Sequence, residues 1–266
     1  MPPKIALLTL DSAISNQAIN DFIDRHRGQV AQVIVSNPMS RRRGGSIGQF
    51  LRLNKHSGLK FSLFLSYCFF IFPLYIAARF LAGKLTAGKG GILSIKEQCR
   101  MCNIEYIVSD NINSPRISRL LEEQEIELIV TCFFDQILGS DIIGIPGLTC
   151  LNIHPGILPA CRGVFPEIHT AAGKYHDFGF TIHCIDDMSI DTGRILLTRV
   201  IKVGEMKGML AIGQKLLMEG LLALTEILPD IEIHLANAQS QEEGNYFSYP
   251  DREDIRKLED AGYFLW

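Results

Sequence analysis

Three polar residues in the second half of the chain have the types and the spacing that acyl transfer requires. Asn152 and His154 lie two residues apart in the run Leu-Asn-Ile-His-Pro, and Asp191 precedes Gly193 in a polar turn further along the chain. Alternate residues of an extended strand point to the same side, so the amide and the imidazole are expected to share one cleft. Acyl transfer to an amine needs a donor for the oxyanion, a proton acceptor and a carboxylate that holds the acceptor. The three side chains supply these roles.

The elements that must position these side chains form an alternating pattern of strands and helices. Short apolar runs predict strands, and amphipathic or helix-forming segments lie between them. Such a pattern indicates a mainly parallel sheet covered on both faces, and α/β folds bind ligands at the carboxyl edge of this kind of sheet. The predicted strands are 4–10, 29–36, 104–108, 127–132, 148–153, 179–185 and 194–203, and the predicted helices are 14–23, 114–125, 210–228 and one that starts near 251.

Five short motifs around these residues resemble the formyltransferase family that uses 10-formyltetrahydrofolate, which includes glycinamide ribonucleotide, methionyl-tRNA and sugar amine formyltransferases. The resemblance implies an α/β fold: a Rossmann-like, open, mostly parallel sheet with helices on both faces. The catalytic domain is expected over residues 1–245, with a helical insertion at about 39–91, and the sequence of 246–266 predicts a tail with a short extended piece and then a helix. The motifs are Asn152-Ile-His154-Pro, Leu158-Pro159, Arg162-Gly163, Gly179-x-Thr181 and Asp191-Thr-Gly193.

The resemblance also implies roles for single residues. Asn152, His154 and Asp191 match the three functional residues of the family, with Asn152 and a protonated His154 expected to stabilise the oxyanion when a neutral amine attacks the formyl carbon. Asp191 is expected to orient His154 and to relay the amine proton through water. Gly156 departs from the serine of many relatives, which leaves the contacts to the amine open. The implied binding residues are Phe133, Gln136, Leu138 and Asp187 for the folate, and Arg162 and Gly163 for the substrate.

A long segment, 39–91, separates the second and third predicted strands and exceeds an ordinary connection in this kind of sheet. Its centre, 61–81, is apolar and about as long as a bilayer span, although Pro73 and Arg79 interrupt it. An apolar helix with basic flanks suits peripheral contact with an anionic membrane, and a helical hairpin that packs on the core or forms a dimer explains the pattern equally well. A full span is disfavoured, because the strands on both sides belong to one domain. The basic residues are Arg41, Arg42, Arg43, Arg52, Lys55, Lys60, Arg79, Lys84 and Lys89, and no acidic residue interrupts them.

Other features argue against several classes of protein. A net charge of -3 gives no overall attraction to nucleic acid, and seven scattered cysteines in a chain of this size indicate reduced thiols. Cys99 and Cys102 have zinc-knuckle spacing but no second pair, so no metal site is expected. The glycine-rich segment 83–90 lacks the Ser or Thr of a P-loop, and no nicotinamide fingerprint is present. The remaining histidines considered, His169, His176, His183 and His234, are interpreted as structural.

The sequence therefore predicts formyl transfer from 10-formyltetrahydrofolate to a primary amine, with an amino sugar or a phosphorylated or lipid-linked amine as the favoured acceptor. Only 75 residues follow Asp191, which leaves little room for a tRNA-binding domain, and the insertion argues mildly against glycinamide ribonucleotide. A formyltetrahydrofolate hydrolase or a non-catalytic folate-binding protein at a membrane would also fit the motifs. The absence of a signal peptide indicates a cytoplasmic protein, and peripheral contact with the inner face of the membrane stays open.

Overall fold

The computed structural model describes residues 2–37, 45–86 and 93–266. Within these residues, seven strands form one sheet in the order β3-β2-β1-β4-β5-β7-β8, in which the first five strands are parallel to one another, β7 runs antiparallel to β5, and β8 runs antiparallel to β7. This confirms the predicted open, mostly parallel sheet. The strands are β1 (Ile5–Thr9), β2 (Val30–Ser36), β3 (Glu105–Ser109), β4 (Leu128–Cys132), β5 (Thr149–His154), β7 (Gly179–Cys184) and β8 (Ile195–Val200).

Helices cover both faces of the sheet. On one face, a large apolar core joins the sheet to the amphipathic helix α1 and to the long helix α9. On the other face, a smaller core joins it to α6 and to the single turn α7. The central strands are buried on both sides, which explains their continuous apolar runs. The helices are α1 (Asn16–Arg25), α5 (Ile95–Cys102), α6 (Pro115–Glu123), α7 (Ser140–Ile143), α8 (Pro166–Ala171), α9 (Met209–Ile227) and α10 (Ile231–Ala236).

The insertion between β2 and α5 is helical in its described part. It contains α2 (Gly45–Ser57), α3 (Leu59–Ser66), a π-helical turn (Tyr67–Ile71) and α4 (Phe72–Thr86). Pro73 does not end the apolar helix, because the wider turn just before it already shifts the backbone hydrogen bonds, as seen from Phe72 N–H to Tyr67 C=O. The predicted interruption therefore takes the form of a π turn. Arg41, Arg42, Arg43, Lys89 and the side chain of Lys84 lie outside the described residues.

The helix from Leu59 to Arg79 is long and apolar enough to cross a membrane, with a mean hydropathy of 1.9, and a third of its most apolar window is buried inside the protein. Phe61 and Phe64 are fully buried in the main core. Since β2 and β3 lie side by side in the same sheet, the insertion leaves this core and returns to it. The helix is thus packed on the domain along one of its faces.

The end of the chain packs back onto the segment that follows β5. A two-residue strand β9 (Tyr246–Phe247) pairs with β6 (Arg162–Gly163), and α11 (Arg252–Asp260) packs on α8. Asp251 caps α11 by accepting from the Asp254 N–H in a reciprocal capping box, which confirms the predicted helix start near 251. Ile255 and Leu258 enter the main core.

Candidate active site

A cavity of about 400 Å³ opens at the carboxyl ends of the parallel strands. The ends of β4 and β5 form its floor, the loops after β4 and β7 form one wall, and α2, α3 and the π turn of the insertion form the opposite wall. Asn152, His154 and Asp191 all line this cavity. The described part of the insertion, from α2 to the π turn, is therefore part of the candidate site.

Asn152 and His154 project from the same side of β5, as their alternation predicts, while the intervening Ile153 belongs to the main core. The Thr131 hydroxyl on β4 donates to Asn152 Oδ1 at 2.7 Å. Asn152 Nδ2 in turn lies 3.2 Å from Asp191 Oδ1, to which it donates. Neighbouring strands thus fix the orientation of the amide.

Asp191 is held in the turn by its backbone and by its side chain. Its φ of 54° lies in the left-handed region, and the side chain of Gln241 donates to the Asp191 carbonyl at 3.1 Å. The Asp191 Oδ2 atom accepts from the Gly163 N–H at 2.8 Å. Burial alone would raise the pKa of this carboxyl, but the nearby His154 and His183 and the Gly163 N–H outweigh burial and hold the pKa of Asp191 far below its usual range. The site therefore contains a permanent negative charge.

His154 is almost completely buried between this carboxylate and the loop that follows β5. Its Nε2 lies 2.7 Å from the Cys161 carbonyl, to which it donates, and its Nδ1 lies 3.5 Å from Asp191 Oδ2. Burial lowers the pKa of His154, and this effect exceeds the opposing attraction of Asp191. Burial therefore favours the neutral form of the resting imidazole, whereas the sequence-based hypothesis has His154 protonated while it stabilises the oxyanion. The reason is desolvation, which the sequence motif does not reveal.

His183, which the sequence analysis interpreted as structural, belongs to the same cluster. It lies directly opposite Asn152 in the antiparallel pairing of β5 and β7. Its Nδ1 donates to the Cys184 carbonyl at 2.7 Å, which leaves Nε2 to accept from Asn152 Nδ2 at 3.1 Å. The same Nε2 is 3.4 Å from Asp191 Oδ1. The signal for this role was the spacing of two residues between Thr181 and His183, which places both on one face of β7.

Thr181 explains why the Gly-x-Thr motif accompanies the catalytic loop. Its hydroxyl donates to the Gly156 carbonyl at 2.9 Å and accepts from the Leu158 N–H at 3.1 Å. A Cβ atom on Gly156 would lie 2.9 Å from His154 Nε2 and 2.6 Å from Pro166 Cβ. The glycine at this position therefore lets the loop pass close to the imidazole.

The four residues expected to bind the donor all line the cavity, and they differ in what their side chains contact. Phe133 is nearly parallel to Phe69 of the insertion, with ring centres 6.1 Å apart, and Leu138 is buried in the wall. Gln136 is fully engaged, since it donates to the Ser36 hydroxyl and accepts from the Ile112 N–H, both at 2.8 Å. Asp187 is exposed and accepts from the Ser189 N–H. Their contact with a donor stays a prediction.

The two residues expected on the substrate side have separate positions. Gly163 lines the cavity, and its N–H holds Asp191. Arg162 does not line the cavity, because its guanidinium donates to the Gln241 side chain at 3.1 Å and to the Glu242 carbonyl at 2.7 Å. Arg162 thereby fixes the segment that carries Gln241, which itself supports the turn of Asp191.

Glu167 is a polar residue of the cavity that the sequence analysis did not identify. It follows Pro166 at the start of α8 and is 4% exposed, and its Oε2 atom has no hydrogen-bond partner among the described residues. Burial raises the pKa of Glu167 to about 7. Within the described part of the chain, no group of three or more His, Cys, Asp or Glu residues could hold a metal ion.

The chain is similar to known proteins in sequence and, separately, in fold. Residues 87–228 match the family model described as formyl transferase. The methionyl-tRNA formyltransferase of Alcanivorax borkumensis is 27% identical over 158 residues, which cover 58% of this chain and 48% of that protein. The chain spans about half the length of the curated relatives that it matches.

Two solved structures share the fold. A sugar N-formyltransferase from Shewanella sp FDAARGOS_354 has a TM-score of 0.55 and 18% identity, with 97% of this chain and 87% of that chain covered. An N-formyltransferase from Helicobacter canadensis, crystallised with folinic acid and dTDP-3-aminofucose, has a TM-score of 0.56 and 16% identity, with coverage of 99% and 83%. At these identities the likeness concerns the fold alone.

Proposed function

The chain belongs to the formyl transferase family, and from this membership we propose that it transfers a formyl group from 10-formyltetrahydrofolate to a primary amine. One observation carries the proposal. The carboxylate of Asp191 contacts both the Asn152 amide, at 3.2 Å, and the His154 imidazole, at 3.5 Å, on the floor of a cavity large enough for a small-molecule ligand.

The cavity wall beside β4 and β7 fits a flat heteroaromatic ring such as the pterin of a folate. Phe133 and Leu138 give it an apolar surface, while the loop that carries Asp187 and Asp191 brings backbone polar groups to its edge. Folates combine an apolar ring face with hydrogen-bonding edges, so both kinds of surface are needed. Phe133, Gln136, Leu138 and Asp187 are our candidates for this side, and the bound donor supplies a formyl carbon to the triad.

The residues divide the chemistry between charge stabilisation and proton transfer. When an amine nitrogen bonds to the formyl carbon, negative charge grows on the formyl oxygen, and Asn152 Nδ2–H can donate to this oxygen once it exchanges its bond to Asp191 or to His183. The nitrogen must also lose a proton. The Nδ1 atom of neutral His154 faces Asp191 and can take this proton, because the carboxylate stabilises the resulting imidazolium. The imidazolium then returns this proton to the donor nitrogen as the bond between that nitrogen and the formyl carbon breaks, which releases tetrahydrofolate and the formamide and leaves His154 neutral again.

For the acceptor we propose an amino sugar or another amine that is phosphorylated or lipid-linked, with the apolar insertion favouring a lipid-linked amine. Parallel α/β folds often bind a phosphate at the helix start after β1. Here the Ala13 N–H in that loop donates to the Cys68 carbonyl of the insertion at 3.0 Å, and the acidic Asp11 lies nearby in the chain. This disfavours an acceptor such as glycinamide ribonucleotide that would place its phosphate there. We also propose a cytoplasmic setting with peripheral membrane contact.

The test is the release of tetrahydrofolate from 10-formyltetrahydrofolate with a panel of amines, comprising dTDP-3-aminofucose, phosphoethanolamine and phosphatidylethanolamine vesicles, and a control without any amine. We expect release that depends on an amine, with loss of activity in His154→Ala at unchanged circular dichroism. Equal release without an amine would replace transfer by hydrolysis as the function. Full activity of His154→Ala would reject the proposed chemistry.

A further inference from the structure

The outer face of the insertion helix is apolar, and we call its residues the exposed stripe: Leu59, Leu63, Ile71, Leu74 and Tyr75. These side chains recur every three or four residues except across the π turn, and Leu74 is 71% exposed. A surface helix of a globular protein normally presents polar residues on its outer face. In its described residues this helix instead has two apolar faces, of which one packs on the domain and the other is exposed, and an exposed apolar face of this kind marks an interaction site.

The charge around the stripe identifies the kind of partner. Between residues 39 and 91 the chain has nine basic residues and no acidic one, although the whole chain has a net charge of -3. Among the described residues, Lys55 precedes the stripe and Arg79 follows it, and Arg79 donates to the Tyr75 hydroxyl within the stripe. Lys60 lies beside Leu59 and pairs with Glu259 of α11, so the flanking charges come from Lys55 and Arg79. An apolar surface with basic flanks complements a layer that is apolar inside and negatively charged outside, which is an anionic lipid bilayer.

The same helices connect this surface to the catalytic cavity. Leu65 and Phe69 line the cavity, whereas Leu63 and Ile71 lie in the exposed stripe. Opposite sides of the insertion helix therefore form the cavity wall and the exposed stripe. The insertion helix cannot leave the domain to cross the bilayer while Phe61 and Phe64 stay in the main core. Contact with a membrane must therefore be peripheral, with the cavity close to the level of the lipid headgroups.

We propose that the exposed stripe docks the protein on the surface of an anionic lipid bilayer. Docking in itself is independent of formyl transfer. The further consequence, that the amine acceptor is taken from the membrane surface, rests on the proposed function.

The experiment measures sedimentation of the full chain with vesicles of phosphatidylcholine alone and of phosphatidylcholine with 30% phosphatidylglycerol. The wild type should bind the anionic vesicles, and 0.5 M NaCl should weaken binding because salt screens the basic flanks. The double variant Leu63→Glu/Leu74→Glu should bind at least ten-fold more weakly. Both positions are exposed, so folding should persist, as thermal unfolding would verify.

Ile233→Glu is the matched control, because Ile233 is as exposed as the stripe residues but lies on α10. It should bind vesicles like the wild type. Failure of the wild type to bind anionic vesicles, or equal binding by the double variant, would overturn the proposal. A dimer in ultracentrifugation that the double variant abolishes, without vesicle binding, would assign the stripe to a second copy of the chain instead. Formyl release with a soluble amine should be the same in all three proteins, so its absence would count against the proposed function alone.

Discussion

Replacing Glu167 with glutamine should stabilise the protein above pH 7 and have little effect at pH 5. The carboxyl group is buried in the cavity wall, and its Oε2 atom lacks a hydrogen-bond partner among the described residues. Burial raises the pKa of Glu167 from an ordinary value of 4.5 to about 7. Between pH 4.5 and about 7, the folded protein therefore keeps a proton on Glu167 that the unfolded chain has already lost.

The sign follows from proton linkage. Between pH 4.5 and 7 the unfolded chain binds fewer protons at this position than the folded protein does, so the free energy of unfolding falls as the pH rises. The resulting loss in the free energy of unfolding is about 3 kcal/mol and is complete above pH 7. Glutamine has nearly the same shape and does not titrate, so the variant avoids this loss. For a chain of this size, about 3 kcal/mol corresponds to a gain of roughly 6 to 12 °C in Tm.

Urea unfolding at pH 5, 6, 7 and 8 and constant ionic strength measures the effect. The buried amide of glutamine has its own desolvation cost, but this cost is the same at every pH. The prediction is therefore tested by how the difference in the free energy of unfolding between the variant and the wild type changes with pH. Glu226→Gln is the control, since Glu226 is exposed and pairs with Arg199. If the free energy of unfolding of Glu167→Gln minus that of the wild type stays constant or decreases from pH 5 to pH 8, the reasoning is refuted.

Three further predictions concern the triad and its support. Asp191→Asn should lower kcat at least 100-fold, because a neutral amide cannot stabilise a proton on His154; a kcat within ten-fold of the wild type, measured by tetrahydrofolate release, would contradict this role. Since burial lowers the pKa of His154, an NMR titration of its ring should have a midpoint below the ordinary value of 6.5, and a midpoint above pH 7 would show that the resting imidazole is charged. Gly163→Ala should cost at least about 2 kcal/mol in urea unfolding, because φ is 106° and the new Cβ would lie 2.0 Å from the Phe247 carbonyl oxygen; Gly147→Ala, with positive φ in open space, should cost less.

The sequence predicted the sheet and the common side of Asn152 and His154 because both depend on local periodicity. Buried parallel strands need apolar runs, and residues two apart on a strand share a face. The inclusion of Asp191 depended on the resemblance to a family, since 37 residues separate it from His154 and no periodicity links the two. The structure brings them to 3.5 Å through the antiparallel return of β7.

His183 and Glu167 could not be assigned from the sequence in the same way. The role of His183 follows from the register that sets it opposite Asn152, and antiparallel register is fixed by long-range pairing. Glu167 has a raised pKa because α8 and the cavity wall exclude water from it, which depends on packing. Substrate contact by Arg162 stays a prediction, and the contact of its guanidinium with the segment of Gln241 is a long-range one that its motif does not reveal.

The hydrogen bonds of the resting site suggest how a substrate could activate it. Both hydrogens of the Asn152 amide are occupied, one by Asp191 Oδ1 and one by His183 Nε2. Donation to a formyl oxygen therefore requires one of these bonds to exchange. A proton arriving on His154 strengthens its attraction to Asp191 and so weakens the competing hold of Asp191 on Asn152. Proton uptake by the imidazole and release of the amide donor would then be coupled through one carboxylate. His183→Ala, which frees one amide hydrogen in advance, should consequently alter the dependence of kcat on pH as well as its magnitude, and a kcat reduced equally at every pH would argue against this coupling.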